Sequence, residues 1–169
     1  MHPTMKRVLA IALAALVTTA SAWSAAQADV TVALTAHRVI QKGGREVLEP
    51  GDQAFPGEVL EYRATYRNAG DAGVKKLAAT LPIPDGMQLI ANTASPRGVL
   101  GSLDGRTFAT LPLHHTVKLE NGREVRVEVP ASEIRFLRWT IAALSGNAER
   151  SVSARVRVAP IPVAAQLRR

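Results

Sequence analysis

Hydrophobic and polar residues alternate one by one through much of the chain beyond residue 28, and no window shows a convincing helical stripe. Strict alternation is typical of a β-strand that buries one face and leaves the other in water. We therefore predict strands where the alternation is clearest, at 30–35, 60–67, 137–141 and 152–158.

Residues that favour turns separate these segments at short intervals. Gly-Gly, Pro-Gly-Asp, Asp-Gly and Asn-Gly sequences all occur between predicted strands. Short strands joined by frequent turns favour an all-β antiparallel sandwich over a parallel α/β sheet, whose strands need long helical connections. We expect no central strand beyond Ala159, because Pro160 and Pro162 lack the N–H that a ladder requires.

One hairpin can be assigned a register from the pattern alone. A two-residue Asn121-Gly122 loop would mix apolar and charged residues on both faces of the hairpin. A three-residue loop that includes Glu120 instead places Lys118 opposite Glu124 and gathers the apolar residues on one face. Because a slip of one residue exchanges the faces, the pattern favours the second register, with Gly122 in the left-handed conformation.

The first 28 residues have the pattern of a secretory signal-peptide helix. Lys6 and Arg7 precede an apolar run at 8–17, and Ala26-Gln27-Ala28 forms an A-x-A cleavage site. The alternative, an uncut membrane anchor, is disfavoured because a span needs about 20 apolar residues. We predict three regions: a cleaved signal peptide at 1–28, a β-sandwich domain at 29–158 and a C-terminal tail at 159–169.

Composition narrows the classes of function. Aromatic residues make up only 4% of the chain, which disfavours a nucleic-acid surface built on base stacking. The chain has no cysteine, so disulfides, thiolate metal sites and cysteine nucleophiles are excluded. His114 and His115 are adjacent and would point to opposite faces of a strand, and His37 is distant in sequence, so we expect no metal site. We find no nucleotide-binding or nucleophile-elbow motif and expect neither a cofactor nor an enzyme.

A series of short motifs resembles the bacterial conserved-repeat family known as domain of unknown function 11. The resemblance covers about residues 46–158. It rests on Pro56-Gly57-Glu58, Tyr62, Tyr66, Asn68, Gly70, Leu81-Pro82-Ile83-Pro84-Asp85-Gly86-Met87, the stretch at 138–144 around Trp139, Gly146 and the strand at 155–158. The resemblance implies an immunoglobulin-like antiparallel β-sandwich of exported and cell-envelope proteins, with no catalytic residues. Residues 95–130 are longer than the family pattern and form an insertion.

The motif residues have structural roles in this interpretation. Tyr62, Tyr66 and Trp139 are expected in the core, whereas Asn68 and Gly70, which tolerate a left-handed backbone, would close their strand. The proline and glycine positions are expected to form turns and corners. The full set is Pro56, Gly57, Tyr62, Tyr66, Asn68, Gly70, Pro84, Gly86 and Trp139.

Basic residues exceed acidic ones by seven in the whole chain and by five after residue 28. Fifteen of the nineteen basic residues in that part are arginines. Arg63 and Arg67 lie on the polar face of one predicted strand, and Arg155 and Arg157 lie on that of another. These four are the candidate binding residues, because arginine suits carboxylate and phosphate groups. The alternative is a solvated face whose arginines pair with neighbouring glutamates such as Glu61.

The sequence therefore predicts an exported structural or interaction module of the cell envelope, periplasmic or else at the cell surface or secreted. We expect it to bind a protein or an anionic polymer through a sheet face, a sheet edge or the insertion at 95–130. Nucleic acid is not an expected partner, and no transmembrane segment is expected after cleavage. Two other hypotheses stay open: a periplasmic assembly chaperone that acts by edge-strand addition, and a small hydrolase.

Overall fold

The computed structural model describes residues 29–160, and these residues form an all-β structure with one short 3-10 turn at Ala131–Glu133. The strands are β1 (Val30–Lys42), β2 (Arg45–Pro50), β3 (Val59–Asn68), β4 (Val74–Pro82), β5 (Met87–Leu89), β6 (Leu100–Ser102), β7 (Ala109–Thr110), β8 (His114–Lys118), β9 (Glu124–Glu128), β10 (Phe136–Leu144) and β11 (Glu149–Val158).

The strands form two larger antiparallel sheets and one separate hairpin. The five-stranded sheet has the order β2-β1-β3-β11-β5, and the four-stranded sheet has the order β4-β10-β6-β7. Strands β8 and β9 pair with each other alone. The chain crosses between the larger sheets four times: from β3 to β4, from β4 to β5, from β5 to β6 and from β10 to β11.

Both larger sheets contribute to a single hydrophobic core. Alternation on β11 places Val152, Ala154 and Val156 in this core, as the sequence pattern predicts. The four-stranded sheet contributes Leu81 and Trp139. Apolar faces of two antiparallel sheets therefore cover each other, which is consistent with a β-sandwich.

The hairpin confirms the register chosen from the sequence. Lys118 lies opposite Glu124, the Leu119 N–H donates to the Arg123 carbonyl at 2.8 Å, and Gly122 has φ +78°. Its apolar face, however, is not packed into the core: the side chains of Val117 and Val127 are exposed. The hydrophobic pattern thus determines the pairing of the two strands but does not show whether another element covers them.

Asn68 is the last residue of β3, and neither Asn68 nor Gly70 is among the positive-φ residues of 29–160. Asn68 is instead fully buried, and its Nδ2 donates to the carbonyls of Ala72 at 2.7 Å and Ser145 at 3.1 Å. The Gly70 N–H donates to the Asn68 Oδ1 at 3.2 Å. The amide thus joins the end of β3 to the chain that follows β10, because a buried amide must satisfy its hydrogen bonds.

The predicted signal peptide at 1–28 and residues 161–169 of the predicted tail lie outside the described residues. Within residues 29–160, no helix has the length and hydrophobicity that crossing a membrane requires.

Candidate functional site

The four candidate arginines lie together on the outer face of the five-stranded sheet. Strands β3 and β11 are neighbours, and Arg155 lies directly opposite Glu61 in their antiparallel register. Residues directly opposite each other share a face, and so do every second residues along one strand. Arg63 and Arg67 therefore share this outer face with Arg155 and Arg157. The structure brings together the residues that the sequence placed on two separate strands.

Acidic side chains contact two of the arginines on this face. The Arg63 Nη2 lies 2.7 Å from the Glu61 Oε1, and the Arg155 guanidinium binds Glu46 through both of its terminal nitrogens. The pKa of Arg155 is raised above its ordinary value, mainly by the hydrogen bonds to the Glu46 carboxylate. The Arg157 Nη1 donates to the Gly57 carbonyl at 3.1 Å. Two of the four arginines on this face, Arg63 and Arg155, are thus paired with carboxylates.

A polar cavity of about 440 Å³ lies beside these ion pairs. It is lined by Glu61, Arg63, Asn92, Thr93, Ser95, Ser153 and Arg155. The cavity therefore presents both charges and several hydroxyl groups, whereas a site for an anionic polymer would present a continuous positive surface.

The structure places the motif residues other than Asn68 and Gly70 in the core or in turns. Trp139 is buried, and its Nε1 donates to the Pro96 carbonyl at 2.7 Å. Tyr66 is buried with its hydroxyl donating to the Thr80 carbonyl, and Tyr62 is half-buried against the core. Positive φ occurs at Gly57 and Gly86 in the turns before β3 and β5. Pro56 and Pro84 lie in those same turns.

The outer edge of β1 is open over its first half. Strand β2 pairs with β1 only from His37 to Lys42, whereas β3 pairs with β1 from Val30 to Arg38. The Gly51 N–H donates to the Ala36 carbonyl at 3.0 Å, so pairing on the β2 side ends at Ala36. Residues 30–35 have β3 on one side and no strand of residues 29–160 on the other.

Alternation along β1 shows which backbone groups face the open side. The N–H and C=O of one strand residue point to the same side, and successive residues point to opposite sides. The Ala36 carbonyl points to the β2 side, whereas the Asp29 carbonyl accepts from Ala69, which follows β3. The backbone groups of Val30, Val32 and Leu34 therefore point to the open side.

The side chains along this edge are apolar and half exposed. Val32 lies opposite Tyr66 and Leu34 lies opposite Ala64, so both share the inner face of the sheet. Val32 nevertheless stays 50% exposed and Leu34 53% exposed. Strand β4 packs against β3 and β11, so the four-stranded sheet leaves these two side chains partly uncovered. An open backbone edge and an apolar strip thus coincide on β1.

The insertion at 95–130 contains β6, β7 and the hairpin β8–β9. Leu111 and Val129 of the insertion line one side of an apolar cavity of about 320 Å³, and Leu89 of β5 also lines it. Glu128 is the one charged residue of this lining, which also includes Asn92. No group of three or more His, Asp or Glu side chains within 29–160 is arranged to hold a metal ion.

Comparisons with models of protein families, with curated proteins and with solved structures find no match to this chain. The resemblance to the conserved-repeat family therefore stays a prediction.

Sequence reasoning did not single out the open edge of β1. The available signal was the stretch Val30–Ala36, which contains no charged residue, proline or glycine. Such residues are the usual protection of an exposed edge, and their absence at a predicted strand is visible without coordinates.

Proposed function

We propose that this protein is an exported, non-enzymatic interaction module of the cell envelope, and that it binds a protein partner by strand addition at the open edge of β1. The observation that carries the proposal is the coincidence of unpaired backbone groups with half-exposed Val32 and Leu34. In strand addition, the main-chain hydrogen bonds provide affinity, and alternate side chains provide specificity.

The proposal includes an immunoglobulin-like β-sandwich as the scaffold. Two antiparallel sheets around a common core, with chain crossings between them, support this assignment. The ordered motif series supports membership of the conserved-repeat family, whose domains occur on exported proteins. The pattern at 1–28 supports export itself.

Export has its own test, which is independent of binding. We expect the protein recovered from the cell envelope to begin at Asp29 when its intact mass is measured. A mass that includes Met1 would show that the segment is retained.

Strand addition at β1 is favoured over the arginine face because Arg63 and Arg155 already contact carboxylates. It is favoured over the hairpin of the insertion because β8 and β9 carry charged residues along both open edges, whereas residues 30–36 carry none. A periplasmic assembly chaperone is the second candidate, since the same open edge could hold a strand of an incompletely folded protein.

The binding test compares variants of the three surfaces in capture of proteins from an envelope extract. One variant carries Val32→Lys and Leu34→Lys, which place charges on the open edge of β1. A second replaces the four arginines with glutamine, and a third carries Val117→Thr and Val127→Thr on the hairpin. We expect loss of capture in the first variant alone, with circular dichroism showing that all three keep their sheet structure.

Undiminished capture by the β1 variant would refute strand addition at this edge. Loss in the arginine variant would move the site to the outer sheet face, and loss in the hairpin variant would move it to the insertion. A chaperone is distinguished from a stable module by release of the captured protein once that protein has folded.

A further inference from the structure

The edge of β1 is complementary to itself, and we infer that its partner is a second copy of this chain. The two copies of β1 would pair antiparallel about a two-fold axis through Val32. This inference rests on the proposed function, because it names the partner of the same open edge. It also joins the two five-stranded sheets into one continuous sheet across the dimer.

The backbone determines the register. Val30, Val32 and Leu34 are the residues whose N–H and C=O point to the open side of residues 30–35. Pairing about Val32 places Val30 opposite Leu34 of the second copy, Val32 opposite its own equivalent and, by symmetry, Leu34 opposite Val30. Each of these three pairs can exchange two hydrogen bonds, so about six form across the axis. Every open backbone group of the edge then has a partner.

Neighbouring registers fit less well. A two-fold axis through Ala33 would place Val30 opposite Ala36 of the second copy. That position is already occupied, because the Gly51 N–H donates to the Ala36 carbonyl at 3.0 Å. An axis between two residues would set an open backbone group against one that points to β3, and no ladder could form. The register about Val32 satisfies the open groups without displacing Gly51.

Side chains in this register match on both faces. On the inner face, Val30 meets Leu34 and the two Val32 side chains meet each other. Val32 and Leu34 are half exposed in the single chain, so contact between copies removes apolar surface from water. On the outer face, Thr31 meets Ala33. The interface uses the same patch of both copies, and it therefore closes as a dimer and does not continue as a fibre.

The charges are also compatible with self-pairing. No charged residue lies between Val30 and Ala36, so no like charges are placed opposite each other within the ladder. At each end, Asp29 would lie opposite Thr35 of the second copy. The residue paired with Thr35 on β3 is Arg63, which lies on the same outer face. Arg63 also contacts Glu61, so no unpaired like charges meet across the ladder.

The size of the interface predicts a weak dimer. The ladder involves about seven residues of each copy, fewer than the 20–30 a side of a standard protein–protein interface. We therefore expect a dissociation constant in the micromolar range or weaker. Dimers should be populated at high local concentration and should dissociate on dilution.

Sedimentation equilibrium of the purified exported protein over a concentration series tests the dimer. We expect a reversible monomer–dimer equilibrium, and we expect Val32→Lys with Leu34→Lys to weaken it at least about tenfold, since the two lysines at position 32 would face each other and the lysine at 34 would lie against Val30. Ala78→Lys is the matched control: it adds a charge to an exposed position of β4 and should leave the equilibrium unchanged.

Single cysteines test the register, and the absence of native cysteine makes any disulfide unambiguous. Val32→Cys should form a dimer linked by a disulfide, because the two Cα atoms would lie about 5.5 Å apart, within the usual range. Ala33→Cys should not, because its two Cα atoms would be offset by two residues and lie about 8 Å apart. Ala78→Cys controls for random collision.

A chain that stays monomeric at every concentration refutes the second copy as partner. A dimer that resists the two lysines, or that crosslinks through Ala33→Cys and not through Val32→Cys, also overturns the inference. If the chain is monomeric while the two lysines still abolish capture from the extract, the proposed function stands with a different partner. If neither capture nor association depends on β1, both fail.

Discussion

The two larger sheets each have a long strand with an open edge, and the two edges differ in how they are protected. On β4, Lys75 and Lys76 are exposed, and Lys76 has φ +54°, which interrupts the regular pairing with β10. Pro82 ends the strand without an N–H. The Tyr66 hydroxyl also occupies the Thr80 carbonyl at 2.8 Å. Charges, a local distortion and proline are the devices by which β-proteins prevent edge-to-edge association.

The β1 edge has none of these devices over residues 30–35. It is straight in register with β3, uncharged and rich in β-branched residues. The same chain therefore protects the edge of β4 and leaves the edge of β1 able to pair. A strand that carries a ready template for pairing and no protection is what a binding edge requires.

The largest expected effect compares the core between the sheets with the open edge of β1. Trp139→Ala should lower the free energy of unfolding by about 3–5 kcal/mol, since it removes a buried indole from between the sheets. Val32→Thr, which keeps the shape of the side chain at the half-exposed edge, should stay within about 0.5 kcal/mol of the parent. Urea denaturation measures both, and equal midpoints for the two variants would contradict the assignment of core and edge.

The next effect separates the hairpin from the edge. Gly122→Val should destabilise the β8–β9 hairpin by about 1–2 kcal/mol, because a β-branched residue resists the φ of +78° at this position. Gly122→Asn should be tolerated better, because asparagine adopts this conformation more readily. Hairpin amide shifts report the local loss. If Gly122→Val also weakened the dimer, the hairpin and not β1 would be in contact.

A smaller effect concerns the protected edge. Tyr66→Phe should cost about 1 kcal/mol, because it removes the hydrogen bond to the Thr80 carbonyl. Tyr62→Phe is the control, since the Tyr62 side chain is only partly buried against the core, and it should cost less. Thermal denaturation of the three proteins measures the difference. Equal costs for the two changes would show that the Thr80 contact contributes nothing.

The smallest effect is a local response to acid in the turn between β6 and β7. The backbone N–H groups of Thr107 and Arg106, together with the Ser102 hydroxyl, hold the pKa of Asp104 below its ordinary value. A lowered pKa in the folded state means that this stabilisation is present above the unfolded pKa and is lost as pH falls through the folded pKa. The amide shift of Thr107 should report this titration, and Asp104→Asn should abolish it. A Thr107 amide shift that does not change in acid would contradict the hydrogen bond between this N–H and the Asp104 carboxylate.

Much of the fold follows from the sequence, and the reasons are local. The alternation at 152–158 predicts the faces of β11, and the apolar pattern around Gly122 predicts the hairpin register. Trp139 and Tyr66 are predicted in the core because burial of large aromatic side chains removes much apolar surface from water, and both are buried in the structure. The residue type of Asn68 predicts only a backbone role. In the structure, its side chain donates to carbonyls that lie 76 and 77 residues further along the chain, and no local pattern reveals these hydrogen bonds.

The candidate site was predicted in part. The sequence placed the four arginines on outward faces, but it could not show that Glu46, from β2, would reach Arg155. The open edge depends on where β2 stops pairing with β1 and on how far the four-stranded sheet extends. Both are properties of the assembled sheets, whereas the lack of charge between Val30 and Ala36 is visible in the sequence.

Amide hydrogen exchange along β1, followed residue by residue at low and high protein concentration, tests the central claim most directly. In dilute solution the amides of Thr31, Ala33 and Thr35 should be protected by β3, whereas those of Val32 and Leu34 should exchange rapidly because they face the open side. At high concentration we expect the exchange of Val32 and Leu34 to slow at least about tenfold as the second copy pairs with them. Rapid exchange of these two amides at every concentration would contradict a self-pairing edge, and their protection in dilute solution would contradict an open one.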